Sequence, residues 1–223
     1  MIPIEPIDLS NSAPFDPISY YVHIAIGLIG LIAGLIALAA KKGSKPHIIA
    51  GRTFVACIVI VSVTSSVLLS VRMVAPLLMA TMTAVYAVGT ALLALRPATP
   101  MIKTLEYGLS LAEAIVVVMF LYMALPQVAE GNIPPIGPVV ILAIPLILLV
   151  GDVNFYRKLD QRPQLRVLRH MSRMIWALIV AIRAPIVEVN AVLQIPAPLI
   201  LFAPLIIAPL MIFLFRRKLG GAR

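Results

Sequence analysis

The segment RPQLRVLRHMSRMIWALIVAIRAP, residues Arg162 to Pro185, joins a basic run to an apolar run. Its arginines cluster just before the apolar stretch begins, which is typical of a helix that enters a membrane from the cytoplasmic side. His170 and Arg173 stand at this junction, and Arg183 lies far inside the apolar part. The segment therefore predicts an orientation for the chain and a group of polar residues near one membrane surface.

The composition of the whole chain favours a membrane protein. Of its 223 residues, 61% are hydrophobic and 12% are charged, and the mean hydropathy is +1.06. A soluble domain of this length cannot bury so much apolar surface, whereas a bilayer accommodates it. A crossing helix needs about 20 apolar residues. Seven runs fit, at residues 20–40, 48–70, 74–95, 105–125, 139–156, 170–189 and 198–215. The predicted fold class is all-α, a polytopic transmembrane bundle of seven helices.

The chain is predicted to have three parts. Residues 1–19 form a short acidic extracytoplasmic tail, residues 20–218 a single transmembrane domain, and residues 219–223 a cytoplasmic tail. The N-terminal segment carries Glu5, Asp8 and Asp16 and lacks the basic start of a signal peptide. The single cysteine, Cys57, lies in a predicted helix, so the chain has no internal disulfide.

The basic residues predict the orientation. Seven crossings put the two termini on opposite sides, and one side then receives most of the 18 basic residues. That side holds Lys41, Lys42, Lys45, Arg52, Arg96, Lys103, Arg157, Lys158, Arg162, Arg166, Arg169, Arg173, Arg216, Arg217, Lys218 and Arg223. The positive-inside rule places it in the cytoplasm and the N-terminus outside, as expected for a bacterial inner-membrane protein. Topology thereby explains the net charge of +9 without nucleic-acid binding.

The candidate ligand-binding site is a group of polar residues predicted at one membrane depth. Its members are His47, Arg52, Asp152, His170 and Arg173. Each stands near the cytoplasmic end of its predicted helix, so the side chains share one level.

Four further polar residues fall inside the predicted helices or near their outer ends. They are His23, Glu113, Arg183 and Glu188. An ionisable group at such depth is costly and usually faces a partner or a cavity. Glu113 and Arg183 are candidate partners for each other. His23 lies roughly 25 Å from the level of His47, across the hydrocarbon core, so it is not part of the same site.

Four interpretations of the candidate site stay open. The two histidines are possible axial ligands of a b-type haem, with the arginines pairing the propionates. The cluster is also suited to an anion, a quinone head or a lipid phosphate. It is suited to relaying protons, or to purely structural pairing of Asp152 with Arg52 or Arg173. The cofactor is therefore unknown.

No sequence motif assigns a catalytic residue or a metal site. The chain lacks GxxxxGK[ST], HExxH and GxSxG motifs. The leading interpretation is a multi-pass inner-membrane protein with a small-ligand or cofactor site near the cytoplasmic face. The alternatives are a non-catalytic accessory subunit, packed through the glycine face Gly27, Gly30 and Gly34 of the first helix, and a proton-linked transporter. The expected partners are the bilayer and either another membrane protein or a second copy of this chain.

Three stretches of the chain resemble a known family. They are HIAIGLIGLIAGLIAL from His23 to Leu38, KxHxxAGRxF from Lys45 to Phe54, and RHxxRMxxAL from Arg169 to Leu178. They are similar to a group of bacterial multi-pass integral membrane proteins of unknown function. The resemblance covers the first, second and sixth predicted helices. It implies His23, His47, Arg52, His170 and Arg173 as pattern positions and implies no activity.

Overall fold

The computed structural model describes residues 17–71, 74–188 and 190–220, and this part of the chain consists of helices and turns without a strand. The helices are α1 (Pro17–Ala39), α2 (Lys45–Val71), α3 (Ala75–Ala94), α4 (Pro100–Ala129), α5 (Ile136–Tyr156), α6 (Arg162–Glu188), α7 (Asn190–Leu193) and α8 (Ala197–Gly220), with a 3₁₀ turn at Leu159–Gln161. All except the short α7 are long and apolar enough to cross a membrane, which makes seven such helices in the described ranges. The predicted all-α fold class with seven membrane-spanning helices is confirmed.

Some predicted features lie outside the described residues. The acidic tail residues Glu5, Asp8 and Asp16 belong to this group, together with Arg72, Met73 and Arg223. Glu188 ends α6, and its side chain also falls outside the description.

The outer surface of α4 shows why a bilayer is the appropriate solvent. Leu111, Val118 and Tyr122 are 63%, 63% and 81% exposed. Steps of seven and four residues place them on one face of the helix. A continuous apolar stripe of this kind is unfavourable in water and favourable against lipid tails.

The N-terminal boundary of α6 corrects the sequence prediction most strongly. The helix begins at Arg162 rather than at residue 170, so two turns predicted as a basic loop are helical. Arg162 and Arg169 were predicted to be loop residues that set the orientation, but they are 4% and 7% exposed. The prediction was wrong because it assumed that these charges need water, whereas they form ion pairs with buried carboxylates.

The ends of α4 and α5 also extend beyond the prediction. α4 begins at Pro100 rather than at residue 105, because Thr99 caps it by accepting a hydrogen bond from Ile102 N at 3.3 Å. It continues through Pro126 to Ala129, and α5 already begins at Ile136. The predicted helices leave residues 126–138 as a loop. In the structure only residues 130–135 lie between α4 and α5.

The chain divides into two compact units at the boundary between Thr81 and Met82, within α3. In the N-terminal unit α1 packs against α2. A Cβ atom added at Gly30 would lie 2.8 Å from Cys57 Cβ, so the helices approach too closely there for any side chain. Gly27 of the predicted glycine face also faces α2, at Val61. These two positions therefore contact their own chain, which corrects the expectation that they receive a partner protein.

The C-terminal unit contains the rest of α3 together with α4 to α8. α4 packs against α5, α5 against α6, and α8 against both α5 and α6. Trp176 of α6 is 2% exposed and is among the largest side chains in the buried core. Leu109 of α4 packs closely against Gly89 of α3. A Cβ atom added at Gly89 would lie 2.9 Å from Leu109 Cδ1. This unit brings the charged residues described below into contact.

Candidate functional site

The centre of the candidate site is the carboxylate of Asp152, one turn before the end of α5 and 1% exposed. Its Oδ2 accepts hydrogen bonds of 2.5 Å from Tyr86 Oη of α3 and from Ser110 Oγ of α4. Its Oδ1 forms ion pairs with Arg169 Nη2, at 2.8 Å, and with Arg173 Nη2, both of α6. Four helices thus converge on one carboxylate, whose two oxygens are both engaged.

Arg173 makes two further contacts. Its Nη2 also donates to the backbone carbonyl of Leu148 at 2.5 Å. Its guanidinium carbon lies 5.1 Å from the centre of the Tyr86 ring, within range of a cation–π interaction. A Cβ atom at Gly151 would lie 3.5 Å from Nη2, which is ordinary contact. Arg173 is 3% exposed, so this cation depends on the protein for its stabilisation.

The guanidinium group of Arg169 lies over two aromatic rings. Its guanidinium carbon is 4.0 Å from the centre of the Phe155 ring and 5.3 Å from that of Tyr156. The contact with Asp152 is an ion pair without hydrogen-bond geometry, since Nε, Nη1 and Nη2 of Arg169 are all buried and lack a hydrogen-bond partner. Arg169 is therefore the least satisfied charge of the site.

A second buried ion pair lies in the same unit and joins α6 to α4. Arg162 Nη1 donates to Glu106 Oε2 at 2.7 Å, and Arg162 Nη2 to Glu106 Oε1 at 3.2 Å. The same Nη2 donates to the carbonyl of Leu93 at 3.0 Å. This two-bond geometry is the strong form of an arginine–carboxylate contact. In contrast to the Asp152 cluster, one cation here matches one anion.

Glu113 lies on α4, seven residues after Glu106 and 2% exposed. Its Oε1 accepts a hydrogen bond of 2.6 Å from Thr83 Oγ1 of α3. Within the described ranges no ion pair joins Glu113 to Arg183, so the candidate pair does not form. Arg183 itself is partly exposed near the far end of α6. The polar partner of Glu113 is thus a neutral hydroxyl.

The sequence predicts that His170 begins a helix. In the structure it is the ninth residue of α6, so this prediction is wrong. Its Nδ1 lies 3.0 Å from the carbonyl oxygen of Ala91 on α3. Because a carbonyl only accepts, Nδ1 carries the proton in this contact and Nε2 is the basic nitrogen. The ring is fixed next to Arg169 in sequence and one turn before Arg173 in space.

His47 and Arg52 belong to the N-terminal unit. His47 Nδ1 lies 2.9 Å from the carbonyl oxygen of Ala37, so this ring bridges the end of α1 and the start of α2. Arg52 is exposed, one turn further along α2. The sequence predicts that His47 and Arg52 lie close to His170, Asp152 and Arg173. The two groups belong to different units, so this contact stays a prediction.

His23 also belongs to the N-terminal unit. Its Nδ1 lies 3.1 Å from Thr64 Oγ1 and 3.4 Å from Ser65 Oγ, both on α2. Thr64 Oγ1 in turn donates to backbone carbonyls of its own helix. These contacts are consistent with a role for His23 in packing α1 against α2.

Of the residues predicted from the sequence, the structure brings Asp152 and Arg173 into direct contact. Sequence reasoning missed several residues that share the same unit: Tyr86, Glu106, Ser110, Tyr156, Arg162 and Arg169. A usable signal was present, because Arg162, Arg169 and Arg173 follow one another at steps of seven and four residues on one helical face. The spacing was overlooked because residues 162–169 were assigned to a loop.

No family model matches this chain, and no curated protein or solved structure matches it. The described residues also contain no group of three or more His, Cys, Asp or Glu side chains that could hold a metal ion. The chemistry of the site therefore follows from its own donors and charges. Two guanidinium groups around one carboxylate leave buried N–H donors without an acceptor, which favours a ligand with strong acceptor oxygens.

Proposed function

We propose that this chain is a multi-pass protein of the bacterial inner membrane that binds a small ligand at the Asp152 cluster, formed by α3, α4, α5 and α6 near the cytoplasmic face. In this proposal the N-terminus lies outside and the C-terminus in the cytoplasm. The protein belongs with the bacterial membrane proteins of unknown function that its three sequence patterns resemble. Asp152, His170 and Arg173 are the ligand-binding residues of this unit, with Arg169 added from the structure.

The observation that carries the proposal is the incomplete hydrogen bonding of the Asp152 cluster. A buried ion pair is tolerated when its charges balance and its hydrogen bonds are complete, as they nearly are for Arg162 and Glu106. Around Asp152 two buried arginines share one carboxylate, and donors remain without partners. Natural proteins retain such incomplete polar clusters mainly where a function uses them.

Three ligand classes agree with these donors: an inorganic anion, a quinone head and a lipid head group. All present acceptor oxygens to guanidinium, hydroxyl and imidazole groups. A b-type haem remains a further possibility, because an imidazole with Nδ1 bonded to a carbonyl has the tautomer of a metal ligand. His47 and Arg52 complete the predicted site only if they join the ligand from the N-terminal unit.

Proton-linked transport is the second candidate function, and Glu113 favours it. This carboxyl is buried, and its hydrogen bond from Thr83 is compatible with either protonation state. Carboxyl groups at membrane depth commonly take part in proton relays. A non-catalytic accessory role agrees with the exposed apolar faces, but these faces equally suit lipid.

A ligand-screening experiment tests the leading proposal. The purified protein in dodecyl maltoside is heated with a soluble quinone analogue, inorganic phosphate or a short-chain anionic lipid, and its unfolding temperature is recorded. We expect at least one class to raise this temperature in wild type, and His170→Ala to reduce the shift. His23→Ala is the matched histidine control, because it lies in the other unit, and it retains the shift.

The outcomes separate the alternatives. If no class stabilises the wild-type protein, the Asp152 cluster is structural and the proposal is wrong. A Soret band in the visible absorption spectrum identifies haem, and its absence removes that alternative. If His47→Ala lowers the ligand shift as strongly as His170→Ala, both histidines serve one site; if it does not, the site excludes His47.

A further inference from the structure

The buried arginines of α6 carry more hydrogen-bond donors than their neighbours can accept. Arg169 and Arg173 are 7% and 3% exposed. Nε, Nη1 and Nη2 of Arg169 and Nη1 of Arg173 are buried without a hydrogen-bond partner. Buried guanidinium donors are almost always satisfied in proteins, so a cluster of four such nitrogens requires an explanation.

Asp152 is unable to satisfy these donors. Its Oδ2 already accepts from Tyr86 and Ser110, and its Oδ1 already contacts both arginines. An ionised carboxylate offers about four acceptor positions, and all four directions are in use here. The Tyr156 hydroxyl offers one further acceptor to Arg169, so the other donors need an acceptor from outside these side chains.

The aromatic rings orient Arg169 without consuming its donors. The guanidinium carbon of Arg169 lies over the Phe155 ring, 4.0 Å from the ring centre. The N–H bonds of a guanidinium lie in its plane and point outward from its edge. The ring contacts hold the guanidinium group but supply no acceptor oxygen for its N–H groups.

Both guanidinium groups converge on the same place. Each contacts Oδ1 of Asp152, and the two residues are one turn apart on α6. The unpartnered nitrogens are spread over two arginine side chains, and they exceed the two oxygens of a carboxylate ligand. A tetrahedral phosphate presents acceptor oxygens in several directions and carries the charge that the excess cation requires.

We propose that Arg169 and Arg173 bind a phosphate group, which is either free inorganic phosphate or the head group of a lipid. This inference rests on the proposed function, since it names the ligand class of the Asp152 cluster. The Phe155 ring supports the arginine, and Asp152 holds the two cations together. Arg162 is not part of the phosphate site, because Glu106 already binds it through two hydrogen bonds.

The test uses the full chain in dodecyl maltoside, purified without phosphate buffers. Two probes distinguish the sources: inorganic phosphate, and a short-chain phosphatidic acid with the matching diacylglycerol as its phosphate-free control. Affinity is measured from the dependence of the unfolding temperature on probe concentration, and lipid retention from native mass spectrometry. We expect one of the two phosphate probes to stabilise the protein, and diacylglycerol to have no effect.

The matched variants are Arg169→Gln and Arg166→Gln, which remove the same charge from the same helix. Arg166 is exposed. Loss of charge-assisted hydrogen bonds weakens phosphate binding by about tenfold or more in Arg169→Gln, and Arg166→Gln binds within about twofold of wild type. Arg169→Lys keeps the charge but loses the planar donors, so it binds with intermediate affinity and provides a readout if the Gln variant does not fold.

The inference is overturned if neither phosphate probe binds, or if Arg169→Gln and Arg166→Gln bind phosphate equally. Stabilisation by the neutral quinone analogue alone would leave the proposed ligand site intact and remove only the phosphate assignment. Absence of stabilisation by every probe, quinone included, would remove both.

Discussion

The two units of this protein bury their polar groups by different means. In the N-terminal unit, polar side chains bind backbone carbonyls or hydroxyl groups: His47 Nδ1 lies 2.9 Å from Ala37 O, and His23 Nδ1 lies 3.1 Å from Thr64 Oγ1. In the C-terminal unit, buried side chains bind one another, and every ion pair of the described residues lies there. The comparison shows that the stability of the first unit depends on close packing at small residues. The stability of the second depends on buried ion pairs, in which each charge requires its partner.

The largest effect is expected at Asp152. Asp152→Asn leaves Arg169 and Arg173 buried without a counter-ion, and breaking a buried ion pair from one side costs about 3–5 kcal/mol. Unfolding in mixed micelles of increasing SDS content measures the free energy of unfolding. Glu130→Gln is the control, because Glu130 is exposed and its change is within about 0.5 kcal/mol. A loss below 1 kcal/mol at Asp152, on the order of a surface substitution, would contradict the importance of this carboxylate.

A smaller loss is expected at Glu106, because its removal strands one arginine rather than two. Glu106→Gln costs about 3 kcal/mol, since Arg162 keeps the Leu93 carbonyl. The double variant Glu106→Gln/Arg162→Met removes the stranded charge and recovers most of the stability. If the double variant is as unstable as the sum of the two single variants, the two residues act independently and the pair is not the reason for the loss.

The close helix approach of the N-terminal unit is tested at Gly30. Gly30→Ala places a Cβ atom 2.8 Å from Cys57 Cβ, which forces α1 and α2 apart. Overpacking of this kind costs about 1–3 kcal/mol. Gly51→Ala is the matched control on α2, where an added Cβ meets nothing within 4 Å and helix propensity improves. Equal stability of the two alanine variants would show that the glycine contact does not hold this unit together.

The smallest effect is expected at Glu113. Glu113→Gln keeps an oxygen that accepts the Thr83 hydrogen bond, and it leaves no ion pair broken in the described ranges. The free energy of unfolding therefore changes by less than about 1 kcal/mol. The same chemical change at Asp152 is severe, so the pair of amide variants separates a buried carboxyl group without an ion pair from one that forms ion pairs with two arginines. A large loss at Glu113 would place it within the charged network.

Much of the fold follows from the sequence, because hydrophobic runs of the right length report directly on membrane crossing. The failures concern residues whose partners are remote. The sequence predicts a loop at residues 162–169 because three arginines stand within eight positions, and nothing local shows that Glu106 and Asp152 neutralise two of them. Propensity and hydropathy describe one segment at a time, whereas these charges are stabilised across helices.

The candidate site was predictable only in part for the same reason. Asp152 and Arg173 were selected by their shared depth, and they do meet. Tyr86 carries no local signal of its role, because a tyrosine in an apolar run is more often a packing residue. Depth alone assigned His47 and Arg52 to the same site, although depth does not specify which helices are neighbours.

The burial of Arg162, Arg169 and Arg173 bears on the orientation as well. These three cations no longer count as loop residues, and the positive-inside argument now depends on exposed residues such as Arg157, Lys158 and Arg166. Arg96, between α3 and α4, is exposed as well and counts with them in this prediction. The prediction of a cytoplasmic C-terminus therefore depends on fewer charges, but its direction does not change.

The most direct test of the central claim, a seven-crossing chain with its arginine cluster at the cytoplasmic end of α6, is cysteine accessibility in intact cells. In a Cys57→Ser background, single cysteines replace Glu130 between α4 and α5 and Lys158 between α5 and α6, and a membrane-impermeant maleimide is added from outside. The account predicts labelling at position 130 and none at position 158 until the membrane is permeabilised. Labelling at position 158 in intact cells, with position 130 protected, would contradict it.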